Sequence, residues 1–300
     1  MKKLLITGSN GFVGNYFINK YKNKYDIKTF SFLKDDINSL DCSDLDVVFH
    51  LSALVHQMDG ASSEEYERVN VIQTLHLAKK AKENGVKQFV FMSTVKVYGE
   101  ETDSKYSENS ACNPEDDYGK SKLKAELELQ KLEDQDFKVS IIRTPIVYGY
   151  GVKANIKSLI NLVNKVPLLP FGKIENKRSM VYIGNLCHLV YEIITQEKQG
   201  IFLASDDEPL STSRLIELVA KNLDLVKRSG CGTITLCEKK IYLVKIPFFE
   251  TLLKILKPSF HKRLYGSLEI DNSITKEKLN LKNPYSVEDG IRLMIKGELI

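Results

Sequence analysis

The first fourteen residues constrain this chain most. Lys3-Leu4-Leu5-Ile6-Thr7 is an apolar and β-branched run that empties directly into Gly8-Ser9-Asn10-Gly11-Phe12-Val13-Gly14. An amphipathic pattern follows at Phe12, Val13, Tyr16, Phe17 and Tyr21. Together these predict a buried parallel strand, a tight turn and a helix opening. Each glycine has its own task. Gly8 takes the backbone angle needed to leave the strand sharply, Gly11 lets backbone approach a diphosphate, and Gly14 lets the helix lie close to the strand. The free N–H groups and positive end of that helix receive the anion, with Asn10, Phe12 and Val13 around it.

The 300 residues suit one large α/β domain or two unequal ones. A net charge of +4, with acids and bases interspersed, leaves no nucleic-acid footprint. Cys42, Cys112, Cys187, Cys231 and Cys237 form no CxxC pair and have no His at ligand spacing. They are expected to be reduced thiols of a cytoplasmic protein, and no metal site is expected. No signal peptide is expected either, because the N-terminal apolar run ends in a loop. The tract Ile241 to Leu256 is broken by Lys245, Pro247, Glu250 and Lys254. It is too short and too charged to span a bilayer, and core packing is expected for it rather than interfacial binding.

Residues 27–32 read as a second strand, ending near Ser31. A dinucleotide fold usually carries an acid there for the adenosine ribose. Ser31, with Lys34 just beyond, leaves NAD and NADP both open and leans towards NADP. Asp36-Ile37 reads either as a minimal third strand whose Asp reaches the adenine or as solvated loop. The next buried strand, 46–55, ends in Leu51, Ser52 and Ala53, small enough at its tip for a dinucleotide to pass above. His50 reads as a core histidine. A helix is predicted over 64–84, stopped by Gly85. The strand over 87–99 empties into hydroxyls at Ser93 and Thr94, at the end where open parallel sheets bind ligands.

Asp116 or Asp117 is positioned to cap a helix in which Tyr118 and Lys122, four apart, share a face. A phenol with a pKa of about 10 is a poor acid–base catalyst at neutral pH. A nearby ammonium would lower that value, and the same Lys is able to bind ribose hydroxyls. A strand over 138–142 leads to Arg143-Thr-Pro-Ile-Val-Tyr-Gly149. Beyond it, helices are expected over 155–164, 186–195 and 211–223, with extended chain over 178–185 and 267–270. A dinucleotide-binding domain is expected over 1–170 and a substrate-binding region over 171–300, with part of 180–200 returning to the first.

Thr7-Gly8-x-x-Gly11-x-x-Gly14, Ser93-Thr94, Tyr118-x-x-x-Lys122 and Arg143-x-x-x-Val147-Tyr148-Gly149 occur in that order. With them the chain resembles the extended short-chain dehydrogenase/reductases, and within these the NAD-dependent sugar epimerase/dehydratase family, over essentially its whole length. The resemblance implies an α/β fold with a Rossmann-type doubly wound parallel sheet and a smaller C-terminal substrate-binding α/β domain. It implies Tyr118 as catalytic acid/base, Thr94 as the hydroxyl that polarises the sugar oxygen, and Lys122 on the nicotinamide ribose. It further implies a UDP-linked sugar as substrate, contacted by Ser93, Lys96, Asn155, Arg178 and Arg263, and a homodimer built on the helices around 64–84 and 117–133.

Family dehydratases carry an Asp-Glu pair directly after the catalytic Thr, whereas this chain has Val95 and Lys96. Dehydration is therefore not expected. Ser93 to Glu100 and Gly149 to Asn155 are similar to segments of bacterial reductases of UDP-2-acetamido-2,6-dideoxy-4-hexuloses, of which UDP-N-acetylhexosamine 4-epimerases are close relatives. Net reduction of a UDP-4-keto-6-deoxy-N-acetylhexosamine for capsule or O-antigen synthesis is the first expectation: strand alternation would aim Lys96 to the same side as Thr94, where a fixed cation would favour hydride delivery from one face over rotation of the sugar. The alternatives are 4-epimerisation at the same site and a non-catalytic dinucleotide sensor.

Overall fold

The computed structural model describes residues 1–55, 61–229 and 242–297. Six parallel strands form the central sheet: β1 (Lys2–Thr7), β2 (Tyr25–Phe30), β3 (Val47–His50), β4 (Gln88–Thr94), β5 (Lys138–Thr144) and β6 (Gly200–Leu203). Their order is β2-β1-β3-β4-β5-β6. The chain leaves β1 for one edge and then returns past it to β3. That reversal opens a crevice above the carboxyl ends of β1 and β3, where doubly wound sheets hold ligands.

Ten helices are used below: α1 (Phe12–Tyr21), α2 (Gln73–Glu83), α3 (Asp117–Gln130), α4 (Ala154–Lys165), α5 (Ile183–Thr195), α6 (Thr212–Ser229), α7 (Phe249–Leu256), α8 (Pro258–Tyr265), α9 (Ser273–Leu279) and α10 (Val287–Lys296). Alternate strand residues feed opposite layers, as strand pleating requires. Leu4, Ile6, Phe49 and Val90 pack with α1 and α5 residues such as Phe17 and Leu186. Leu5, Val48, Phe89 and Phe91 pack with Leu77, Ala81, Ala125 and Leu129 of α2 and α3. Burial on both faces explains why these strands read as unbroken apolar runs. The first core also takes in Leu215, Ile291 and Met294, so packing continues across the boundary expected near residue 170.

Several expected elements differ in extent or kind. The second strand is displaced to 25–30, because Lys34 and Asp35 N–H groups both turn back to the Ser31 carbonyl at 2.9 and 2.8 Å. Asp36-Ile37 is no strand. The Asp36 carboxylate accepts the Asn38 N–H at 3.0 Å and caps a 3₁₀ turn over Ile37–Ser39, a local bond that competes with sheet pairing. The helix expected over 64–84 opens with a Ser62/Glu65 capping box and passes through a π-helical turn, Glu67–Ile72, before α2. Of the extended 178–185 segment, Met180–Tyr182 pairs with Ile146–Tyr148, and α5 starts at once at Ile183.

Residue 241 lies outside the described residues. The remainder of the tract expected to pack in the core stands largely on the surface: none of the residues of α7 is fully buried. Only Phe249 and Leu253 turn inward there, and Phe249 meets Phe171 edge-on with ring centroids 6.2 Å apart. Among the described residues, no helix is long and apolar enough to cross a membrane.

Candidate active site

The loop after β1 is shaped by steric limits. Gly8 holds φ +68°, and a Cβ there would lie 2.9 Å from the Ser52 nitrogen. A Cβ on Gly14 would lie 2.6 Å from the Gly8 carbonyl oxygen, so α1 approaches the strand more closely than any side chain permits. Gly11 caps α1 in extended backbone with no side chain on the first amides, and donates its own N–H to Gly8 O at 2.9 Å. Asn10 and Gly11 are exposed, with Phe12 and Val13 half-buried behind them. A cradle that a Cβ would fill, facing open helix amides, fits a dinucleotide's diphosphate.

Thr7 ties this loop to β3. Its Oγ1 accepts the Leu51 and Ser52 N–H groups at 3.2 and 3.1 Å and stands 2.7 Å from His50 Nδ1. With both lone pairs engaged, the hydroxyl proton goes to Nδ1. His50 therefore carries its proton on Nε2 and donates to Thr74 Oγ1 at 2.9 Å. Burial, with Lys122 adding, brings the imidazole pKa down to about 3, so the ring is neutral. Asn70, absent from the sequence reading, clamps the next residues. It accepts the Leu54 N–H at 2.8 Å and donates to Leu54 O and Ser121 Oγ at 2.9 and 3.0 Å.

Ser31 is the first residue past β2, and the pairing of Thr7 with Phe30 brings the end of β2 level with the end of β1, where the glycine loop begins. Its N–H donates to Asp35 Oδ2 at 2.8 Å. A carboxylate thus stands at the end of β2, folded back from four residues on. Its only signal in the sequence was an Asp soon after an acid-free strand end. Lys34 is exposed on the same turn, and the Asp36 carboxylate is occupied by Asn38.

Thr94 closes β4, and its Oγ1 accepts the Lys96 N–H at 3.2 Å, capping a 3₁₀ turn over Val95–Val97. Asp116 caps α3 through the Gly119 N–H at 2.7 Å. A Cβ on Gly119 would lie 2.9 Å from Lys96 O, so the first turn of α3 rests on the segment that follows Thr94. Tyr118 is half-buried there, its ring centroid 6.2 Å from that of Tyr66. Burial pushes its phenol up, and Asp116 and Tyr66 push it further. Lys122 is buried, with Nζ 3.8 Å from the Phe91 ring centroid. Burial lowers its pKa to about 7, against the pull of Glu126. The expectation that Lys122 depresses the phenol is thereby corrected: desolvation dominates both groups in the protein alone.

Two substrate assignments change for similar reasons. The Ser93 hydroxyl is turned to Glu126, which also accepts Arg143 Nη2 at 2.6 Å, making a buried Ser93–Glu126–Arg143 network behind the strand end. Lys96 is not an available cation. Its Nζ meets Asp116 at 2.5 Å and Glu100 at 3.0 Å. Burial opposes its charge, yet these carboxylates outweigh it and hold the ammonium above its ordinary value. The strand alternation that was to aim Lys96 beside Thr94 ends at Thr94, where the 3₁₀ turn begins.

Arg178 is half-buried and donates from Nη1 to the Lys262 and Gly266 carbonyls at 3.3 and 3.0 Å. Burial pulls its guanidinium below the ordinary value, with Glu101 and Glu100 opposing. Arg263 is exposed on α8 and Asn155 on the first turn of α4. Among the described residues, no group of His, Cys, Asp or Glu is arranged to hold a metal ion.

Residues 4–203 match the model of the NAD dependent epimerase/dehydratase family. The chain is 37% identical to a protein of Vibrio cholerae named UDP-glucose 4-epimerase, over 97% of this chain and 94% of that one. Its fold is like that of UDP-N-acetylglucosamine 4-epimerase from Methanobrevibacter ruminantium M1 in complex with UDP-N-acetylmuramic acid. The TM-score is 0.76 at 20% identity, covering 99% of this chain and 97% of the other. UDP-glucuronic acid 4-epimerase from Bacillus cereus in complex with NAD is similar in fold, with TM-score 0.74 and 21% identity over 98% of each chain. With a family model spanning the glycine loop, the Thr94 strand end and the Tyr118–Lys122 helix, the chain belongs to the NAD dependent epimerase/dehydratase family.

Proposed function

We propose that this enzyme uses NAD to transfer hydride at C4 of a UDP-linked hexose or hexosamine, and that its net reaction is 4-epimerisation. One observation carries the chemistry: the first turn of α3, with Tyr118, rests on the segment after Thr94 at the end of the sheet that bears the glycine loop. In this reading Tyr118 moves the proton at the C4 oxygen, and Thr94 donates a hydrogen bond to the same oxygen. A phenol held high is protonated at neutral pH and suited to donate to an oxyanion; accepting a proton needs a nearby cation, the role of Lys122. Lys122 also holds the nicotinamide ribose, while Arg178 and Arg263 take the substrate diphosphate as planar forks suited to phosphate oxygens. Bound NAD supplies the hydride acceptor. Asp35 at the end of β2 favours NAD over NADP, because a carboxylate there repels a 2′-phosphate.

Buried Val95 and ion-paired Lys96 have no proton chemistry to offer for dehydration. Epimerisation is favoured by the names of the similar proteins and by the engagement of Lys96, which removes the free cation that argued for delivery from one face. Net reduction of a UDP-4-keto-6-deoxy-N-acetylhexosamine is the second reading, supported by the likeness of residues 93–100 and 149–155 to such reductases. A single assay separates them. An epimerase interconverts UDP-N-acetylglucosamine and UDP-N-acetylgalactosamine, or the glucose pair, with no net change in nicotinamide absorbance. Stoichiometric consumption of NADH with a 4-keto sugar, without epimerisation, would reverse the order. In either case Tyr118→Phe is expected to lose about 10²–10⁴-fold in turnover while retaining NAD affinity.

A further inference from the structure

Six large apolar side chains, Ile246, Phe248, Leu252, Ile255, Leu256 and Phe260, stand exposed along the hairpin of α7 and α8, led by Phe248 at 85%, Ile255 at 72% and Leu256 at 67%. Leu252, Ile255 and Leu256 are three and four apart, so they share an exposed stripe of α7 that runs beside the half-buried Phe249 and Leu253. Phe248 holds φ +62°, a left-handed conformation that is costly for a bulky residue. The charge around this face is one-sided. Between Tyr242 and Tyr265 the only acid is Glu250, which faces His261 at 3.4 Å, against Lys245, Lys254, Lys257, Lys262 and Arg263. The inner side of the hairpin is tied down, with Lys262 Nζ 2.8 Å from Glu115 and Arg178 on the Lys262 and Gly266 carbonyls.

We propose that this hairpin docks the enzyme on an anionic phospholipid surface, with the exposed apolar stripe of α7 at the headgroup–acyl boundary and Lys245, Lys254 and Lys257 adding attraction to the lipid phosphates. An exposed apolar stripe on a hairpin with five basic residues and one acid is complementary to such a surface. A second copy of the chain suits it less, because a two-fold contact through this face brings Lys245, Lys254 and Lys257, which have no acidic partner among the described residues, against themselves. At eight residues α7 lies on the membrane and does not cross it. Docking holds the wall that carries Arg178 at the membrane surface, whichever C4 reaction the site performs.

The test is sedimentation of the full chain with vesicles of phosphatidylcholine, with and without phosphatidylglycerol. Binding is expected only with phosphatidylglycerol and is expected to fall steeply with salt. Ile255→Glu/Leu256→Glu is expected to lose at least about tenfold in partition, and Lys254→Glu or Lys257→Glu about fivefold or more each. Circular-dichroism melting and NAD affinity are expected to stay unchanged in all three, since these side chains are exposed and lie outside the candidate site. No binding at low salt, or binding that the variants leave intact, would overturn the proposal. Self-association of the wild type that Ile255→Glu/Leu256→Glu abolishes, without vesicle binding, would overturn it in favour of a second copy.

Discussion

Lys122, the proposed partner of the nicotinamide ribose, carries a stability cost set by its burial. Its ammonium is buried against Phe91 and its pKa is lowered to about 7. A folded-state value below the unfolded one means that stability is fully present above about pH 10.5 and lost as pH falls towards 7. At neutral pH the chain therefore carries most of the cost of a buried cation. We predict that Lys122→Met stabilises the protein against urea by on the order of 1–4 kcal/mol at about pH 6, while abolishing turnover. The gain should shrink as pH rises to about 10, where wild-type Lys122 folds neutral. Equal wild-type and variant stabilities at both pH values would contradict the burial of the charge.

At the scale of one element, α3 sets Tyr118, Lys122 and Glu126 four residues apart on one face. Each has a different neighbour: the Thr94 turn, the Phe91 ring and the Arg143 guanidinium. Glu126 and Arg143 are 1% and 3% exposed, so removing one partner leaves a charge buried and unpaired. Glu126→Ala is predicted to cost about 3–5 kcal/mol. Glu126→Leu combined with Arg143→Met should recover most of that loss, because an apolar pair of similar volume needs no desolvation. Thermal melting of the two variants checks this; equal destabilisation would assign the network a purely steric role.

For the whole molecule, Ile72 and Leu127 are 56% and 52% exposed on neighbouring elements, the π-helical turn and α3, which pack against each other. This is the face on which the resemblance implies a two-fold dimer, and pairing there would remove both side chains from water. A dimer is expected at micromolar concentration in sedimentation velocity, and Leu127→Asp should shift it to monomer. A monomeric wild type would rule out the assembly. The hairpin of α7 and α8 is a separate surface, so Leu127→Asp is not expected to change vesicle binding.

The strand–loop–helix opening was legible from residues 3–21 because glycine sterics and apolar periodicity are local properties. The same holds for Tyr118 and Lys122, since a spacing of four defines a helix face without knowledge of the rest. What lay beyond local reach depended on residues that meet only after folding. Asp35 reaches the end of β2 through a turn, and Lys96 loses its free charge to Asp116, twenty residues on. The depressed phenol inferred from a nearby ammonium gave way to burial, a quantity set by surrounding elements rather than by spacing. The apolar run over 242–256 looked like core by composition alone. Only the packing of 242–265 decides that its outer stripe has no partner within the described chain, because hydrophobicity drives burial without specifying against what.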